Sequence, residues 1–158
     1  MTVPAFDMYG VCSGLGSAFL PNAIGTPSGA SAMRAVFPHG CKGVASVPAV
    51  VLEVQDGTVV PNDIWQHHVN IDAVLLLSKR PGDPVRVESD RQRWLPYLLS
   101  ATESHMKLGI GAQSGYEVKS AVPQGWEWTE YAVGADEYDA IRVHYQVWVN
   151  EVMNNLAP

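Results

Sequence analysis

Hydrophobic positions along the chain change period several times, and each change marks an element. Met8, Cys12, Leu15 and Phe19 recur at helical spacing, which predicts an amphipathic helix over about residues 7 to 20, capped by Asp7 and stopped by Pro21. On its opposite side Gly10, Ser13, Gly14 and Ser17 fall at i, i+3, i+4 and i+7. Each glycine there costs about 1 kcal/mol of helix propensity, so this small-residue stripe is either tolerated surface or the seat of a closely packed helix or subunit. Residues 25 to 48, rich in Gly, Ala, Ser and Pro, hold no sustained period. They read as a long loop, interrupted by a short strand around Phe37. Loops of more than roughly 15 residues are usually functional or ordered by a partner, which makes the 25–47 segment and its Phe37 candidates for a subunit contact.

The pattern then shortens to period two. PAVVLEVQ (48–55) predicts a strand, DGT a turn, and the stretch from Ile64 to about Ser78 a second strand ending before KRPGDP. Leu95, Leu98, Leu99, Thr102 and Met106 share one helical face, predicting a helix over about 94–107 with Pro96 in its first turn. YEVKSAV (116–122), GWEWTEYAV (125–133) and DAIRVHYQVWVNEVM (139–153) predict three further strands. In the last, Ile141, Val143, Tyr145, Val147 and Val149 alternate with Arg142, His144, Gln146, Trp148 and Asn150, over a length well beyond the usual five or six residues. The order of elements predicts an α+β fold, a mainly antiparallel sheet of four to five strands with two main helices on one face, in a single domain spanning 1–158.

Composition narrows the function. With 47% hydrophobic and 16% charged residues the chain should fold. A net charge of -6 disfavours binding DNA through phosphate neutralisation, which needs clustered Lys and Arg. The two cysteines, Cys12 and Cys41, are too few for a disulfide framework and read as reduced thiols. MTVPAFDMYG has no signal-peptide pattern, and no apolar run nears the roughly 20 residues of a membrane helix. A soluble protein made in a cytoplasm is expected.

Candidate chemistry is sparse. His67 and His68 are adjacent in a strand pattern, so their side chains should point to opposite faces and not share a metal. Cys12 or Cys41 with His39 could form a nucleophile and base, but the flanking residues carry no recognisable thiol-hydrolase signature. Neither CxxC nor HExxH occurs, and the Gly14-Leu15-Gly16 and Gly109-Ile110-Gly111 stretches lack the strand-then-helix context of a phosphate loop. No catalytic residue, metal or cofactor is expected. The unusual feature is five tryptophans. Trp65 and Trp94 fit a core, whereas Trp126 and Trp128 share one strand face and Trp148 sits among polar neighbours, as interface anchors do.

An amino-terminal helix, the strand VPAVVLEV, a second strand, a helix closing on MKLG, an aromatic hairpin and the long final strand YDAIRVHYQVWVNEV together resemble the tail terminator proteins of long-tailed bacteriophages. The likeness covers most of the chain and is strongest from about Arg91 to Met153; residues 25 to 46 depart from it. It implies an α/β subunit of a six-membered ring at the head-proximal end of the virion tail. Such a ring caps the tube of major tail protein, faces the head connector or stopper, and lets DNA pass through its lumen without specific binding. It implies no catalytic residues and no membrane. Another head-tail joining protein, a stopper or adaptor, is the alternative within this class; a small thiol-dependent hydrolase is the alternative outside it.

Overall fold

The computed structural model describes residues 6–61, 65–111 and 115–151. Helices α1 (Met8–Ser17) and α2 (Pro21–Ile24) lead into strands β1 (Ala35–Phe37), β2 (Ala49–Val60) and β3 (Gln66–Lys79). Helix α3 (Pro84–Ser100) and strands β4 (Tyr116–Val133) and β5 (Asp136–Glu151) follow. The five strands form one sheet in the order β1-β2-β3-β5-β4, with β1 parallel to β2 and every other neighbour antiparallel. The α+β class and the mainly antiparallel sheet predicted from the pattern are therefore present.

One face of the sheet carries the helices. Val11, Leu15 and Phe19 of the α1 region and Trp94 and Leu98 of α3 pack against Ile71, Leu75, Ile141, Val143 and Tyr145. Each large side chain buried there contributes about 1.5–3 kcal/mol. Strand alternation puts the remaining positions on the far face, where a second, smaller cluster forms around Val51, Val74, Leu76, Tyr138 and Ala140. Phe37, Cys41, Val44 and Val47 close over that cluster. The long loop is thus ordered by its own sheet, and β1 within it pairs with the start of β2.

Three elements differ in their boundaries from the sequence pattern, for identifiable reasons. Asp56-Gly57-Thr58 is not a turn: β2 passes through it to Val60, accommodating the extra residue at Gln55 as a bulge between Val54 and Asp56. Helix α3 starts at Pro84, not near residue 94, because Asp83 accepts a hydrogen bond from the Val85 amide at 3.0 Å and Pro84 suits the first helical turn. Pro96 therefore lies deep in the helix on its exposed side, not in the first turn. The helix ends at Ser100, and Thr102, expected on its face, is instead buried with its hydroxyl donating to the Ala121 carbonyl at 2.7 Å. Finally, the two strands expected before and after Pro123 are one edge strand, β4, with register shifts at Val118/Ser120 and Pro123/Gly125. An edge strand tolerates the missing proline donor. β4 turns into β5 through Gly134 and Ala135, with Gly134 at φ +61°.

Candidate assembly surface

The small-residue stripe of α1 is a close-packing seat, and the chain fills it itself. A Cβ on Gly14 would stand 2.8 Å from the Leu108 carbonyl oxygen, and one on Gly10 would stand 2.7 Å from the Tyr116 hydroxyl. Ser17 Oγ donates to the Gly14 carbonyl at 2.6 Å. Ser13 Oγ lies 2.9 Å from His39 Nε2, and Tyr9 stacks on the His39 ring at 3.6 Å between centroids. Phe37 is likewise half-buried against the far-face cluster. Of the eight interface candidates, Gly10, Gly14, Ser17 and Phe37 are engaged within the chain; Ser13 is exposed but bonded to His39.

The adjacent histidines diverge as strand geometry requires. His67 lies on the helix side, stacked on Phe6 at 4.6 Å, with Nε2 2.8 Å from Glu151 Oε1. His68 lies on the far face, stacked on Trp148. Among the described residues no group of three His, Cys, Asp or Glu side chains is placed to hold a metal ion. Burial, with Asp7 adding to it, pushes the Cys12 thiol pKa up, and burial does the same to Cys41. Both shifts favour the protonated thiol over the thiolate that attacks substrates. His39 is paired with Ser13, 26 residues away in sequence.

A polar network that pattern reading missed crosses the middle of the far face. Asp72, only 5% exposed, receives Arg142 Nη1 at 2.8 Å and faces His144 Nδ1 at 2.7 Å. Arg142 also approaches Glu53 at 3.6 Å and Glu127 at 3.7 Å. Burial works against the Arg142 charge, but the Asp72 hydrogen bond and the Glu53 and Asp72 charges outweigh it and raise its pKa. Burial, reinforced by a hydrogen bond to Glu53, raises the pKa of Tyr131 beside it. Each of these residues occupies a polar position of its own strand, but only the register Asp72↔His144, Glu53↔Asp72 and Glu127↔Arg142 brings them together. Arg142 is thus held by carboxylates from β2, β3 and β4, which ties four strands together.

Large apolar groups are exposed along both borders of the sheet. Trp126 and Trp128, 45% and 37% exposed, lie 4.7 Å apart by ring centroid at the β4 border. Their partners Val143 and Ile141 place them on the helix side. Arg91 of α3 sits 5.6 Å from the Trp128 ring centre and donates to the Thr129 carbonyl, which fixes the pair against the helix. At the other border β1 reaches only Val51, so the outer edge of β2 from Leu52 to Val60 has no strand partner among the described residues. Val54 and Val59 are exposed there, and Phe6, Met8, His67 and Val69 line an adjoining apolar cleft of about 350 Å³. Trp94 is buried as expected, but Trp65, expected in the core, is 52% exposed near this same end. Among the described residues no helix is long and apolar enough to cross a membrane. No protein-family model matches the sequence, and no curated protein matches it at a significant level.

Proposed function

We propose that this chain is a structural subunit of a bacteriophage tail, a ring-forming tail terminator that closes the tail tube and offers a surface to the head connector. The observation that carries this reading is the pair of unlike open borders. Among the described residues, β4 presents an unpaired edge with two exposed tryptophans and β2 an unpaired edge beside an apolar cleft. Two different patches on opposite sides of one subunit are what a head-to-tail ring requires.

Strand directions agree with such a contact. β2, β3, β5 and β4 alternate, so β4 runs antiparallel to β2. Rotation about an axis along the strands would bring β4 of one copy beside β2 of the next in antiparallel order, with the helix layers on the same side. The net charge of -6 suits a channel that DNA traverses without sticking. The partners of this reading are further copies of the chain, the major tail tube protein and a connector or stopper protein, in the virion. Native mass spectrometry of the purified chain tests it: a dominant six-subunit species is expected, and a monomer at micromolar concentration counts against it.

A further inference from the structure

Trp148 lies on the face opposite Trp126 and Trp128, and its surroundings differ from theirs. Its cross-strand partners are His68 on β3 and Ser120 on β4. The indole stacks on the His68 imidazole at 4.1 Å between centroids and 10° between planes, which covers one indole face and holds the ring upright on the sheet. The other face looks across β4, where the partner side chain is only a serine, and Trp148 stays 40% exposed. There it walls a cleft of about 310 Å³ with Ser120, Val122, Gln124 and Gln146. Trp148 Nε1 donates to Gln146 Oε1 at 2.8 Å, and the Gln146 NH2 group has no partner among the described residues. None of the five lining side chains carries a charge.

We propose that this cleft binds a neutral pyranose, as a free sugar or as one residue of a glycan. The negative face of an indole attracts the weakly positive C–H face of a sugar ring. Primary amides and a hydroxyl both donate and accept, as sugar hydroxyls do. A nucleobase would stack equally well, but a nucleotide carries phosphate, and none of the five lining side chains is a cation to hold it in a protein of net charge -6. The lining therefore selects an uncharged ring. The site does not rest on the tail assembly reading: it lies on the far face along the first half of β4, whereas Trp126 and Trp128 lie on the helix side of its second half.

The test is ¹⁹F NMR of the full chain labelled with 5-fluorotryptophan. Trp148→Phe assigns one of the five resonances. Methyl β-glucopyranoside, methyl β-galactopyranoside and N-acetylglucosamine are titrated separately to about 50 mM, because one ring in an open cleft supports only millimolar affinity. Adenosine and adenosine monophosphate are run in parallel. The expected result is a saturable shift of the Trp148 resonance with at least one sugar while the Trp126 and Trp128 resonances stay in place. Gln124→Ala, at an exposed position, should raise the Kd about fivefold, the loss of one hydrogen bond. No saturable Trp148 shift with any sugar, a response to adenosine in place of sugar, or affinity unchanged in both Gln124→Ala and Gln146→Ala overturns the proposal.

Discussion

Tyr145 shows how much one side chain holds. It is buried in the helix-side core, where its hydroxyl donates to the carbonyl of Leu98 on α3 while its ring meets Phe19 edge-on. Tyr145→Phe removes that donor and leaves the Leu98 carbonyl with the Ala101 amide at 3.4 Å, and should cost about 0.5–1.5 kcal/mol in urea denaturation. Burial also raises the Tyr145 pKa above the ordinary tyrosine value of about 10. The folded phenol thus stays neutral where the unfolded chain has begun to ionise. Its contribution to stability is complete below about pH 10 and is lost as pH rises beyond that. Tyr145→Phe should therefore flatten the alkaline fall in stability between about pH 9 and 11, with the remaining slope owed in part to Tyr131, whose pKa is raised in the same direction; an unchanged slope would contradict the assignment. At Gly14 the Leu108 carbonyl leaves no room for a side chain. Gly14→Leu should destabilise the fold itself, by about 1–3 kcal/mol, and a thermal midpoint equal to wild type would show that the seat is not filled by the chain.

At the scale of elements, the strands and α1 were legible because their side-chain periods survive in the fold. β5 alternates as read, and His67 and His68 fall on opposite faces because a strand gives neighbours no choice. α3 was misplaced for a physical reason. Its first ten residues bury only Val87, too few to set a visible period, so the cap and proline at its start were the stronger signal. Asp83→Ala removes that cap and should cost about 1 kcal/mol in thermal unfolding; no change would mean α3 is held by packing alone. The bulge at Gln55 hid the continuation of β2, since one inserted residue breaks the alternation without ending the strand. The polar network was illegible for another reason: Glu53, Asp72, Glu127, Arg142 and His144 sit on four strands, and only strand register joins them. On β4 the edge is guarded in its first half by Lys119, Pro123 and two register shifts, while Trp126 to Val133 is regular, the contrast expected if only the second half meets a partner. Replacing Trp126 and Trp128 together with Ser should leave the circular dichroism spectrum intact and convert the assembled species to monomer in light scattering. Unchanged assembly would remove the pair from the contact.

For the whole molecule, the sheet has one face closed by helices, a far face closed at one end by the 38–47 segment, and two unlike open borders. Strand order explains the borders: β1 stops after three residues, and β4 has no outer neighbour among the described residues. Side chains left solvent-exposed at such borders are costly to solubility, and assembly is one way natural sheets resolve them. Electron-microscope class averages of the purified chain put this most directly. The proposed contact predicts closed rings with cyclic symmetry, each subunit turning its β4 border toward the β2 border of the next. Isolated monomers, or dimers joined by like borders about a twofold axis, would contradict it.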